Sequence, residues 1–260
     1  MSAASGVRLE RQGSTALVTL DRPPANAINV PVSQALYQVF HEFENDDALR
    51  VAIFTGGGER FFSAGWDMKS DEAPNADSGP GGFGGISEYF QRSKPVIAAV
   101  NGMAAGGGFE VVLACDLIVA ADHAEFFLPE VRVGLVADAG GMLQLPKRLP
   151  RAIATGMLMT GDRLSAQDAA HYGLVNEVAP RAQLLERAHA WADRIAQAAP
   201  LSIRATKAVL DATETLSVED GFRLLASGSL PEYKAVYQSE DLVEGPRAFA
   251  EKRAPQWKGR

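Results

Sequence analysis

The chain has 260 residues, of which 47% are hydrophobic and 22% charged, enough apolar content for one large soluble domain or a domain with an appendage. Its 25 basic against 32 acidic residues give a formal charge of −7, which argues against nucleic acid as a main partner, because phosphate binding needs clustered Lys and Arg. A lone cysteine, Cys115, rules out an internal disulfide; no stretch approaches the ~20 apolar residues of a membrane span, and residues 1–13 hold no apolar run of signal-peptide length, so a cytoplasmic protein with no membrane contact is expected.

In chain order, residues 7–11 and 15–20 are β-rich runs parted by Gly13-Ser14, the pattern of a hairpin. Residues 31–44 place Val32, Ala35, Leu36, Val39, Phe40 and Phe43 at helical spacing, with Asn29 positioned as an N-cap ahead of Pro31. Residues 51–55 form a short apolar run closed by Gly56-Gly57-Gly58, as expected of a buried strand entering a turn. Residues 95–100 repeat that pattern before Asn101-Gly102, and residues 117–121 and 125–128 repeat it again. Strands alternating with helices predict parallel crossovers and an α/β core. Residues 69–85, rich in Asp, Pro, Ser and Gly without hydrophobic period, predict a surface loop, either ligand-responsive or a plain insertion. Beyond residue 146, amphipathic helices are predicted over 181–197, 201–213, 218–227 and 240–252, with breaks at Pro180, Pro200 and Pro231. The chain therefore divides into a core over 1–199 and a helical region over 200–260, of the kind that packs on a neighbouring subunit.

Three segments carry candidate chemistry. They are Phe61-Phe62-Ser63-Ala64-Gly65-Trp66-Asp67, Asn101-Gly102-Met103-Ala104-Ala105-Gly106-Gly107-Gly108-Phe109-Glu110, and Leu128-Pro129-Glu130 leading to Ala137-Asp138-Ala139-Gly140-Gly141. Three glycines entering an apolar helix gather free N–H groups at its positive end, which suits a phosphate or a developing oxyanion; a tight packing turn explains the same residues. No Gly-Lys-Ser/Thr follows, so the loop is not a phosphate-binding P-loop. Glu110 and Glu130 each stand among apolar residues, where burial raises a carboxyl pKa toward the range of neutral-pH acid–base catalysis. Taken singly, either is equally a solvated turn or helix-end glutamate, and spacing does not tell whether they meet. His41, His123, His171 and His189 lack metal-ligand spacing, so no metal is expected, and Cys115 falls in an apolar run typical of a core.

Together these segments resemble the enoyl-CoA hydratase/isomerase (crotonase) family, from Leu20-Asp21-Arg22-Pro23 through Lys94-Pro95-Val96-Ile97 to Phe249-Ala250-Glu251-Lys252-Arg253. The resemblance implies an α/β fold, a spiral of ββα units with a C-terminal helical region, assembling as a homotrimer or homohexamer. It implies an acyl-CoA substrate, no cofactor beyond the CoA that substrate carries, an oxyanion hole from the N–H groups of Trp66 and Gly107, and Glu110 and Glu130 as the acid–base pair. It also implies CoA contacts from Pro24, Ala25, Ala27, Ile28 and Ala64, from Lys69 near the pantetheine–phosphate region, and from Lys252 of a neighbouring subunit. Within the family, Gly79-Pro80-Gly81-Gly82-Phe83, Glu244-Gly245-Pro246-Arg247 and Trp257-Lys258-Gly259-Arg260 resemble the branch that interconverts carnitinyl-CoA and crotonobetainyl-CoA. A trimethylammonium group, unable to donate a conventional hydrogen bond, would there be met by Phe83, Trp66 and Asp138. Asp138 departs from the common hydratase pattern and recurs both in dienoyl-CoA isomerases and in the carnitinyl-CoA branch, so it does not choose between them; a double-bond isomerase using Glu130 and Asp138 is the first alternative. An RNA-binding, non-catalytic relative is the second.

Overall fold

The computed structural model describes residues 6–73 and 75–260; residues 1–5 of the N-terminal stretch and Pro74 of the 69–85 loop lie outside the described residues. Strands β1 (Val7–Gln12) and β2 (Thr15–Leu20) form the expected antiparallel hairpin. They begin a six-stranded sheet of order β1-β2-β3-β5-β7-β10, with β3 at Val51–Gly56, β5 at Val96–Val100, β7 at Leu117–Ala121 and β10 at Glu177–Ala179. From β2 onward every neighbouring pair is parallel. Both faces of such a sheet are covered, which is why β3 and β5 read as unbroken apolar runs and are buried at every position.

A smaller sheet collects the short strands that follow the long ones: β4 (Phe61–Ser63), β6 (Met103–Ala105) and β8 (Glu125–Phe127) pair in parallel, and β9 (Leu164–Ser165) closes the edge antiparallel. Each turn of the chain thus lays one strand in the large sheet and the next in the small one, the ββα spiral that the resemblance implied. The strand expected over 125–128 stops at Phe127. Strands of two or three residues are too short to show a period, so β4, β6 and β9 leave no hydrophobic pattern of their own.

Helix α1 (Val30–Asn45) starts where the sequence indicates: Asn29 Oδ1 accepts from Val32 N at 3.2 Å, and Pro31 occupies the first turn. Its carbonyl end is satisfied by a buried cation, Lys94, whose Nζ donates to Phe43 O at 2.9 Å and Asp46 O at 2.7 Å. Helix α2 (Gly107–Leu113) is buried throughout. Helices α3 (Gly141–Arg148), α4 (Arg151–Thr160) and α5 (Ala166–His171) fill the stretch whose pattern is too short and Gly-broken to announce them. The helix expected over 181–197 opens as a 3₁₀ turn, Arg181–Gln183, and continues as α6 (Leu184–Ala196). Leu184, Ala188 and Ala192 form its buried stripe, small enough for the helix to lie close on β3, β5 and β7.

The C-terminal region comprises α7 (Pro200–Thr213), α8 (Val218–Ser227), a short α9 (Pro231–Val236) and α10 (Asp241–Ala250). Asp116 ties α7 to the core, bonded to Arg92 Nη1 and Lys207 Nζ at 2.6 Å each and accepting Val96 N at 2.8 Å. Burial pushes its carboxyl up, but the two cations hold it below the ordinary carboxylate range. No helix among the described residues is long and apolar enough to cross a membrane.

Candidate active site

The glycine triplet sits at the crossing of β4, β6 and α2. Gly106 is the N-cap of α2 with φ +54°, and its carbonyl accepts Phe109 N at 2.8 Å and Glu110 N at 3.1 Å. Gly65, with φ +81°, presses against the same turn: a Cβ there would lie 2.7 Å from Ala105 O and 2.8 Å from Gly107 N. Only glycine lets the two backbone segments approach this closely.

The segment bearing Trp66 is pinned from the other side. Ile28 N donates to Gly65 O at 2.8 Å and Asp67 N to Ile28 O at 2.9 Å, a parallel bridge that leaves the Trp66 N–H facing away from Ile28. Ala64 N donates to Ala25 O at 2.9 Å, and the Asn26 amide donates to the carbonyls of Gly57, Phe61 and Phe62. Arg22 completes the brace, reaching Ala27 O at 2.8 Å and Asp67 Oδ2 at 2.6 Å. The anchoring side chains of Asn26 and Arg22 carry no chemistry that sequence could have flagged. Neither Trp66 N nor Gly107 N donates to a protein acceptor among the described residues, and both residues line a cleft of about 510 Å³.

Glu110 and Glu130 line that cleft as well. Glu110, one turn into α2, is 4% exposed, and its Oε1 accepts Gly141 N at 2.8 Å from the start of α3. Burial pushes its pKa up to about 8; the Gly141 and Ala139 N–H groups pull it down, while Glu130 and Asp138 add to the rise. Glu130 opens the 3₁₀ turn Glu130–Val133 after β8. Its Oε1 lies 2.7 Å from where a Cβ on Gly106 would stand, and its Oε2 is buried without a hydrogen-bond partner among the described residues. Burial raises this carboxyl too, its own N–H lowers it, and Asp138 raises it further. Two carboxyls that spacing left unconnected therefore share one cleft with two unengaged amides.

Phe83 and Asp138 reach the same cleft. The Phe83 ring lies over Gly107, where any Cβ would collide with it, and its centroid is 6.2 Å from that of Trp66 at an inclination of 42°. Asp138 is exposed at the mouth, within electrostatic reach of both glutamates. Pro24, Ala25, Ala27, Ile28 and Ala64 cluster through the Ala64–Ala25 and Ile28–Trp66 contacts, with Pro24 at the surface. Lys69 and Lys252 are exposed and outside the cleft, Lys252 just past α10. Glu88, Asp77 and Val136 line the cleft without having been singled out by sequence; they sit in irregular segments, where no periodicity points inward. Among the described residues no group of three His, Cys, Asp or Glu could hold a metal ion.

The profile of the enoyl-CoA hydratase/isomerase family matches residues 10–260, and the chain belongs to that family. It is 53% identical over 260 residues to the carnitinyl-CoA dehydratase of Salmonella typhi, with 99% of this chain and 100% of the relative covered. Among solved structures, an enoyl-CoA hydratase from Mycobacterium tuberculosis H37Rv superposes with a TM-score of 0.91 at 40% identity, covering 98% of this chain and 100% of that one. A carnitinyl-CoA hydratase from Mycobacterium avium superposes with a TM-score of 0.76 at 41% identity, covering 98% and 99%. The protein is an enzyme of the hydratase/dehydratase type with the crotonase fold.

Proposed function

We propose that the protein interconverts carnitinyl-CoA and crotonobetainyl-CoA by adding or removing water. The observation that carries this reading is the pair of glutamates, the buried Glu110 and the half-buried Glu130, facing one cleft beside the Trp66 and Gly107 amides. The relatives named for carnitinyl-CoA supply the acyl group. In dehydration the thioester oxygen rests between the Trp66 and Gly107 N–H groups. Glu130 takes the α-proton, the electron pair forms the α,β double bond, and the β C–O bond breaks as Glu110 delivers its proton to the leaving hydroxyl. Water departs, and the two carboxyls have exchanged protonation states. Hydration runs the same steps backward, with Glu110 activating water. Each amide of such a pair is worth ~3 kcal/mol where negative charge develops. The CoA belongs to the substrate, and the steps call on no other group.

In this reading the loop from Pro24 to Ile28 holds the adenine end of CoA, Ala64 also contacts CoA, and Lys69 meets its phosphates as a point charge. Lys252 does so from a neighbouring subunit. Large apolar side chains on the C-terminal helices, among them Leu210, Phe222, Val243 and the 88% exposed Phe249, support assembly into a homotrimer or homohexamer. The single buried thiol of Cys115 suits a cytoplasmic setting.

The position of Asp138 near Glu130 favours a second reading, a double-bond isomerase in which these two carboxylates shuttle a proton. Supplying crotonobetainyl-CoA and a 3,5-dienoyl-CoA separates the two: hydration of the first adds the mass of one water, whereas isomerisation of the second leaves mass unchanged.

A further inference from the structure

The cleft carries five carboxyl side chains, those of Asp77, Glu88, Glu110, Glu130 and Asp138, and no Lys, Arg or His among the described residues that line it. Glu110 and Glu130 are taken up by proton transfer. Asp138 raises both of them, so its charge acts on the acid–base pair. Asp77 Oδ1 accepts Gly79 N at 2.8 Å and so closes its own turn. Glu88 is left without a salt bridge to any described residue.

Its placement is specific. Glu88 N donates to Gly81 O at 3.0 Å, and Glu88 Oε1 lies 2.8 Å from where a Cβ on Gly82 would stand. Gly82, at φ +66°, is thus the residue that lets the carboxylate fold against the loop, immediately beside Phe83 in the chain. Phe83 in turn covers Gly107 and leans toward Trp66. One wall of the cleft therefore presents a carboxylate next to two inclined aromatic faces. At the foot of that wall, Ser87 Oγ is buried without a hydrogen-bond partner among the described residues.

We infer that Glu88 is a specificity-determining residue that, with the Phe83 and Trp66 rings, receives the quaternary ammonium group of the acyl chain. This deepens the reading of the protein as acting on carnitinyl-CoA and rests on it. A trimethylammonium offers no N–H, so it is recognised by diffuse negative charge and by ring faces, both present here. A cleft lined by carboxylates and by no cation among the described residues gains by receiving one from the substrate, whereas a neutral acyl chain leaves the exposed Glu88 carboxylate to solvent and gains nothing from it.

The test compares kcat/KM for carnitinyl-CoA with that for its uncharged isostere, 3-hydroxy-5,5-dimethylhexanoyl-CoA, in the wild-type enzyme, Glu88→Gln and Glu88→Asp. Wild type is expected to prefer the charged substrate, and Glu88→Gln to reduce the charged-to-neutral ratio roughly fivefold or more, the loss expected for one partly exposed charge pair. Glu88→Asp, which keeps the charge, should retain most of the ratio. A ratio unchanged in Glu88→Gln overturns the assignment of Glu88 while the carnitinyl-CoA reading stands. A wild-type ratio of one overturns the charged-substrate reading and the role of Glu88 with it.

Discussion

Glu110 Oε1 accepts a 2.8 Å hydrogen bond from the backbone N–H of Gly141, which joins the one carboxyl of α2 to the first residue of α3. The bond fixes one oxygen of the carboxyl and leaves the other for the substrate. A glutamine keeps that bond through its amide oxygen but exchanges no proton. Glu110→Gln and Glu130→Gln are each expected to lower kcat by ~10²-fold or more with an unchanged circular dichroism spectrum. Near-normal turnover of a hydratable substrate by either variant would remove that residue from the mechanism.

The two directions of the reaction should respond alike to pH, because each needs the Glu110–Glu130 pair to hold one proton. With its pKa pushed up to about 8 by burial, Glu110 is largely protonated near neutrality and ready to act as an acid. Dehydration and hydration should both weaken as pH rises through about 8, where the pair loses the one proton that it passes between Glu110 and Glu130. Asp138→Asn removes a neighbouring negative charge and should move that midpoint downward. Single-turnover pH profiles in both directions read the shift; profiles that show no common fall near that window would assign the titration elsewhere.

Glu110 also places a stability penalty in the fold. Its pKa of about 8 in the folded chain stands above the ordinary value of 4.5, so the folded state holds this proton more tightly than the unfolded one. The group's stabilising contribution is complete below the unfolded value and is lost as pH climbs through the folded one. Glu110→Gln carries no such dependence. Its melting temperature should gain on wild type between about pH 5 and about pH 9, the behaviour of an active-site residue whose function costs stability. Parallel melting curves across that range would contradict the burial account.

Gly65 tests the amide pair through its geometry. Its φ of +81° is one that other residues rarely adopt, and an added Cβ would lie 2.7 Å from Ala105 O and 2.8 Å from Gly107 N, both backbone atoms that cannot step aside cheaply. Gly65→Ala should therefore change the spacing of the Trp66 and Gly107 N–H groups and lower kcat by ~10²-fold or more. Free CoA, bound away from these amides, should inhibit the variant at nearly the wild-type concentration. A variant with full kcat would show that this spacing does not limit the reaction.

How much of this could be read from residues alone depended on the length of each pattern. The 16-residue α1 shows its apolar stripe and its Asn29 cap openly, and the buried strands β3, β5 and β7 stand out as short apolar runs. The three-residue β4 and β6 are invisible by period, yet they bring Gly65 onto Gly107. The glycine triplet marked a candidate helix start at α2, although a tight packing turn explained the same residues. Each glutamate was conspicuous for its apolar neighbours, but their meeting is a property of how β8 lies beside β6, which no spacing encodes. Glu88 was hidden by its loop: at an irregular position, a glutamate facing a cleft and one facing solvent read alike.

The central claim is tested most directly by incubating the purified enzyme with crotonobetainyl-CoA, following loss of the conjugated enoyl-thioester absorbance and determining the product mass. The account predicts that the absorbance falls as carnitinyl-CoA appears, heavier by one water, and that Glu110→Gln abolishes the change. No hydrated product from crotonobetainyl-CoA, together with efficient rearrangement of a 3,5-dienoyl-CoA at constant mass, would contradict it.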